Sequence, residues 1–282
     1  MTVKALPVIS FRSADCGVQF VDSLRIFGFA VLVDHPLDMD RVARIYRQWR
    51  HYFTRGVPAE LAHDESLQDG YFSVSNAEHA KGYSQRDFKE YFQYYAWGRC
   101  PAPLKGDLHD HYLASLEFAT TLLDYVEQVV PVEVSARFKA PLGTMIANSE
   151  QSMLRVLHYP PVPKGRQVLR AAPHEDINFL TILPAADGPG LEICNRDGAW
   201  VAVPNRPDQV VVNVGDMLQE LSGGYLPSTT HRVALPSAST SALGVSRMSL
   251  PLFLHPRPEV VLSHRYTAAS YLSQRLLELG VA

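Results

Sequence analysis

The stretch APHEDINFLTILP, Ala172 to Pro184, carries an imidazole and a carboxylate two residues apart in an otherwise apolar, β-prone segment. Side chains alternate along a strand, so an extended chain turns His174 and Asp176 to one face and Glu175 and Ile177 to the other. Both donors then reach one ion. A lone HxD pair is also what a structural histidine beside an acid looks like, so a third donor decides. His231 supplies it: in STTHRVALP it follows the glycine-rich SGGYLPS and lies in a strand-like run 55 residues after Asp176.

Two imidazoles and one carboxylate on one side of a metal leave the other positions open, the facial arrangement of non-haem Fe(II) sites that take oxygen and a cosubstrate. A zinc hydrolase can use similar donors, but it needs a separate acid or base near its water, and neither HExxH nor a cysteine-rich signature is present. The donor set favours iron. A second pair, Arg247 and Ser249 in SRMSLPLFLHP, alternates onto one strand face, with Met248 and Leu250 on the other. A guanidinium and a hydroxyl there can grip a carboxylate, because the planar fork of arginine makes charge-assisted, bidentate hydrogen bonds. An isolated RxS is otherwise a solvated arginine. In RVLHYPP the same alternation groups Arg155, Leu157 and Tyr159, with the Tyr159 phenol as a further donor. His158 turns the opposite way and reads as structural.

Strands must position these groups, and from Met153 onward the chain is built of short β-branched runs separated by Pro, Gly and Asp turns. They are MLRVLHYPP, INFLTILP, GLEIC, WVAVP, QVVVNVGDML, THRVALP and SRMSLPLFLHP. Regular strands at such spacing predict a sandwich or barrel. Asp197-Gly198 in CNRDGAW is a hairpin signal, and DGPG at 187–190 is another break. The first half is different. CGVQFVDSLRIFG, MDRVARIYRQWRHYF and HDHYLASLEFATTLLDYVEQVV repeat apolar residues every three or four positions and read as amphipathic helices. The aromatic DFKEYFQYYAWG between the last two reads as extended, and TAASYLSQRLLELG as a closing helix ending at Gly280. With no linker or repeat visible, residues 1–282 are expected to form one domain: a mainly helical part (1–150), a β core (151–265) and a C-terminal helix (266–282).

Composition bounds the rest. The chain has 282 residues, 46% hydrophobic and 20% charged, with a net charge of −3. That size buries a sizeable core, and scattered Lys and Arg offer no cationic footprint, so nucleic acid is not an expected partner. Cys16, Cys100 and Cys194 are an odd number without CxxC spacing, which fits a reducing cytoplasm better than a disulfide framework. The apolar runs are too short to span a bilayer, and the N-terminus lacks a signal-peptide pattern, so no membrane association is expected. Oligomeric state leaves no trace in the sequence.

The order HxD, His, RxS, preceded by a strand ending in RxxxYPP, resembles the isopenicillin N synthase-like branch of the Fe(II)/2-oxoglutarate-dependent oxygenases. The resemblance covers nearly the whole chain. LPVISF, FGFAVLVDHPL and DFKEYF are similar to the family's N-terminal segments, and PHEDINFLTILP, GLEI, VVNVGDMLQELSGG, STTHRV and RMSLPLFLHP follow in family order. It implies a mixed α and β fold with a double-stranded β-helix (a jelly roll, cupin-like) flanked by N- and C-terminal helices. It further implies iron on His174, Asp176 and His231, with Arg247, Ser249 and Tyr159 on the distal carboxylate of 2-oxoglutarate. Molecular oxygen is the remaining cosubstrate, and hydroxylation of a small molecule the default outcome, with desaturation or ring closure as variants. Asp176 argues against halogenation, since halogenating relatives lack that carboxylate. Two departures are Leu157, where many relatives have Asn, and the long 234–246 connection.

RxS also occurs in relatives that do not use 2-oxoglutarate, which keeps an Fe(II) oxidase resembling isopenicillin N synthase as an alternative. A jelly roll that binds a ligand without turnover is a third reading. For the substrate pocket the aromatic stretch offers Tyr91, Gln93 and Tyr95, together with Tyr71, Phe72 and Tyr83 nearby.

Overall fold

In the computed structural model, which describes residues 5–64, 67–76, 86–163, 168–235 and 244–279, period-two alternation sorts the strand residues onto two unlike faces. The larger sheet contains β1 (Val8–Ser10), β2 (Phe29–Val33), β3 (Gly70–Phe72), β4 (Glu90–Tyr94), β5 (Met153–Tyr159), β7 (Leu180–Pro184), β10 (Val210–Val214), β12 (Arg247–Ser249) and β13 (Leu252–Leu254). Its order is β1-β2-β10-β7-β13-β5-β4-β3, with β12 also paired to β5. The smaller sheet has β6 (Ala171–His174), β11 (His231–Val233), β8 (Leu191–Cys194) and β9 (Trp200–Ala202) in the order β6-β11-β8-β9. Apart from the parallel β1–β2 pair, the strand pairings are antiparallel. The fold is the double-stranded β-helix with flanking helices that the sequence resemblance implies.

Alternate residues of the large sheet, among them Ala30, Leu32, Phe92, Tyr94, Leu154, Val156, Leu180, Ile182, Val210, Val212, Met248, Leu252 and Leu254, enter the main core. That core is shared with α1 (Cys16–Phe27), α2 (Met39–Arg55) and α3 (Ala102–Val129). Among the described residues, the other face looks toward the small sheet and meets residues of that sheet in two separate apolar patches. One holds Phe29, Val31, Leu191, Ile193 and Val211; the other holds Phe72, Tyr91, Leu157, Tyr159, Ala171 and Val233. The polar side chains of the site belong to this second face.

Several runs are shorter than their apolar patterns predict. The strand expected through His174 and Asp176 stops at His174, and pairing resumes at Leu180. QVVVNVGDML extends only to Val214; after Gly215 the chain turns into α6 (Asp216–Leu221), whose first N–H groups donate to Asp176 O (2.7 Å) and Asn178 O (3.1 Å). SRMSLPLFLHP is divided at Leu250-Pro251, although β12 and β13 hold one continuous register against β5. Proline has no N–H for the ladder, which accounts for the gap. The short helices α4 (Val132–Ser135) and α5 (Leu142–Ile146) lack a readable amphipathic period, and the closing helix α7 covers Ala268–Leu279. Most of the 234–246 connection, and Tyr83, lie outside the described residues.

Gly28 ties the helical layer to the site. It ends α1 at φ 69°, and a Cβ there would lie 2.2 Å from Thr229 Oγ1 and 2.6 Å from Pro227 O. Only glycine combines the left-handed turn with this close approach, which seats the segment entering His231.

Candidate metal and cosubstrate site

His231 and His174 are direct cross-strand partners on β11 and β6, with ring centroids 4.3 Å apart. Each ring is fixed through Nδ1, which donates to Ala172 O in His174 (2.7 Å) and to Thr229 O in His231 (3.1 Å). With the proton on Nδ1, Nε2 keeps its lone pair. Phe29 packs edge-on against His231 at 5.3 Å.

Asp176 reaches the same place from the turn after β6. Its Oδ2 accepts from Thr181 Oγ1 (2.6 Å) and Asn213 Nδ2 (2.8 Å), while Oδ1 lies 3.9 Å from His174 Nε2 and 3.8 Å from His231 Nε2. One oxygen is therefore clamped by the protein and the other faces the imidazoles. The three donor atoms lie within 4.8 Å of one another. Burial acts to raise the Asp176 pKa, but the two histidines and the Thr181 and Asn213 hydrogen bonds outweigh it and hold the group below the ordinary carboxylate value. Burial, and then the charge of His231, push His174 down from its ordinary value, which favours the neutral ring a metal requires. A 2N/1O set suits a divalent first-row transition metal better than the all-oxygen shells of calcium or magnesium or the thiolate-rich shells of structural zinc. The residues present fit iron.

Thr181 and Asn213 are functional candidates that a motif search passes over. Their signal is a lone polar residue at the inward position of an apolar strand, in LTILP and VVVNV. Asn178 joins them by donating to Leu180 O (3.1 Å) and Thr181 Oγ1 (2.9 Å).

The RxS pair faces β5, with Arg247 opposite Tyr159 and Ser249 opposite Leu157. Arg247, Ser249 and Tyr159 are all buried at 3% exposure. The Arg247 guanidinium lies 5.1 Å from the centre of the Tyr159 ring, and its Nε donates to Gly188 O (3.0 Å). Nη1 is buried without a hydrogen-bond partner, an orphan charged donor of the kind an incoming carboxylate satisfies. Asp187 fixes the strand start by accepting from Met248 N (2.7 Å), and it is ion-paired to Arg50. Tyr159 and Leu157 pack with Ala171 of β6 and Val233 of β11, so this patch adjoins the two strands that carry the histidines.

The pocket candidates divide. Tyr91 is buried and stacked on Phe72 at 4.7 Å, and Gln93 Oε1 accepts from Arg155 Nε (2.9 Å), both on the inner face. Tyr71 turns to the helical side, where it bonds Glu90. His158 also faces that side: Nδ1 meets Glu90 Oε1 at 2.7 Å, and its ring stacks on Phe53 at 5.5 Å.

Fold and donor set together outline a jelly roll in which three clustered donors that could hold a metal ion lie near a buried arginine with an unpaired Nη1. The profile of the 2OG-Fe(II) oxygenase superfamily matches residues 150–256. A structure from Shewanella oneidensis described as an oxygenase is 45% identical over 99% of this chain and 100% of its own, with a TM-score of 0.90. One from Caulobacter crescentus described as a 2OG-Fe(II) oxygenase family protein is 30% identical over 98% and 100%, with a TM-score of 0.79. The chain belongs to the 2OG-Fe(II) oxygenase superfamily. Among curated relatives, the 2-oxoglutarate-dependent dioxygenase citB of Monascus ruber is 35% identical over 140 residues, 47% of this chain and 40% of that protein. The match thus spans well under half the length of that relative.

Proposed function

We propose that the protein is an Fe(II)- and 2-oxoglutarate-dependent dioxygenase that hydroxylates a small organic molecule, with succinate and carbon dioxide as coproducts. The observation that carries this reading is the division of labour at Asp176, where Oδ2 is clamped and Oδ1 faces two oriented Nε2 atoms. His174, Asp176 and His231 would hold iron, and Arg247, Ser249 and Tyr159 the distal carboxylate of 2-oxoglutarate. Bound there, iron and keto acid supply oxygen activation coupled to decarboxylation. The chain's own part is orientation and exclusion of water. The Nδ1 bonds fix both rings, Thr181 and Asn213 fix the carboxylate, Arg247 and Ser249 set the reach of the cosubstrate, and the apolar wall of Phe72, Tyr91, Leu157 and Val233 keeps the interior dry.

Strands from both halves of the chain pair into one sheet, which supports a single oxygenase domain over residues 1–282. No helix among the described residues is long and apolar enough to cross a membrane. The three free cysteines fit placement in the cytoplasm. The test is succinate formation across a panel of small molecules, each assayed with and without Fe(II) and 2-oxoglutarate. Succinate that needs both additions and rises with one candidate supports the proposal; oxygen uptake without keto acid instead identifies an oxidase of the isopenicillin N synthase kind.

A further inference from the structure

Beside the RxS pair lies a second buried cation that no motif marks. Arg170, the residue before β6, is 2% exposed. Its Nη2 donates to Val245 O (3.3 Å), two residues before Arg247, and its Nε is buried without a hydrogen-bond partner. Arg247 Nη1 is orphaned in the same way. The two arginines meet around Tyr159: Arg247 faces it across β12 and β5, and Ala171, next to Arg170, packs in the same cluster as Tyr159. In keeping with that placement, burial, and next the charge of Arg247, lower the pKa of Arg170, while Tyr159 opposes the shift. No carboxylate enters that balance, and no acid pairs with either guanidinium among the described residues.

A fold does not gain stability from two like charges with unmet donors in a dry interior, since each costs desolvation and they repel. Arrangements of this kind are retained where an anion arrives to satisfy them. The anion must be small, because the surroundings are packed by Tyr159, Ala171 and Val233. It must also be planar enough to accept from two forks at once, as a carboxylate is.

We infer that Arg170 is a binding residue for the cosubstrate, contributing its Nε to the same distal carboxylate that Arg247 and Ser249 hold. This rests on the 2-oxoglutarate reading above. The consequence is a strong preference for a keto acid with a second carboxylate over one without it, larger than one arginine alone confers.

The experiment measures equilibrium binding rather than turnover. The full chain, loaded with Fe(II) under anaerobic conditions, is titrated calorimetrically with 2-oxoglutarate and with 2-oxobutyrate, which keeps the keto acid head but lacks the distal carboxylate. Arg170→Gln is expected to weaken 2-oxoglutarate about tenfold or more, the scale of one charge-assisted hydrogen bond, while 2-oxobutyrate changes little. Arg170→Lys, which keeps the charge and guards against a folding failure of the Gln variant, should fall between Gln and the parent. The melting temperature of the ligand-free Gln variant should equal or exceed the parent's, because a buried unpaired cation has been removed. An unchanged ratio of the two keto acid affinities in folded Arg170→Gln overturns the inference while leaving the proposed function standing. Failure of the parent chain to prefer 2-oxoglutarate over 2-oxobutyrate removes the cosubstrate reading itself.

Discussion

At Asp176 the geometry separates two jobs that a bare motif merges. The carboxylate must be ionised and must present one oxygen, and the Thr181 and Asn213 bonds to Oδ2 secure both. Thr181→Val keeps the shape and removes one bond. It should raise the dissociation constant for Fe(II) by about tenfold to a hundredfold with the fold intact, as loss of a metal-orienting contact does. Metal titration followed by circular dichroism checks this, and unchanged affinity would show that Asn213 alone suffices. At Arg247 the prediction differs in kind. Arg247→Ala removes a directed ion pair worth about 2–5 kcal/mol in complexes, so the keto acid requirement should rise steeply while iron binding is retained. Arg247→Lys should recover only part, because an ammonium cannot reproduce the fork, and Ser249→Ala should be milder. The readout is succinate formation against 2-oxoglutarate concentration at saturating Fe(II). If the prime substrate weakens instead, Arg247 is a substrate clamp.

Among the elements, the turn from β6 to β7 matters most, and it is where the sequence pattern and the structure part. The convergence of His174, Asp176 and His231 is legible because donor types and spacing survive whatever path the backbone takes. The path is not legible: alternation predicts a strand through Asp176, whereas the carbonyls of Asp176 and Asn178 instead accept from the start of α6, a contact between segments about 40 residues apart. Arg170 is equally hidden, since nothing in VLRAAPH distinguishes a buried arginine from a solvated one. Gly215 is the hinge of this contact. A Cβ there would fall 2.1 Å from Asn178 Oδ1 and 2.3 Å from its carbonyl oxygen, the latter being backbone that cannot swing aside. Gly215→Ala should therefore cost about 1–3 kcal/mol, as overpacking does, and should also loosen Asp176. Denaturant melts and iron content are expected to fall together; a stability loss with full iron retention would separate the turn from the site.

For the molecule as a whole, the helices cover one face of the large sheet so that the other is free to hold polar chemistry, and the helical layer buries a histidine with no part in the site. His111 on α3 is 1% exposed, with Nε2 3.4 Å from Ser115 Oγ. Burial, followed by the charge of Arg41, pushes its pKa from 6.5 to about 4. The folded chain therefore keeps His111 neutral down to about pH 4, while the unfolded chain takes up the proton below pH 6.5. Its contribution to stability is complete above pH 6.5 and is lost as the pH falls toward 4, amounting to about 2 kcal/mol by pH 5 and about 3 kcal/mol in full. His255, also buried and also pushed to about 4, adds in the same direction. The expected result is a denaturation midpoint that drops between pH 7 and pH 5, and a shallower drop in His111→Gln, whose side chain stays neutral throughout. Parallel pH profiles for the two proteins would show that His111 is protonated at little cost in the folded state, and would move the acid sensitivity to other groups.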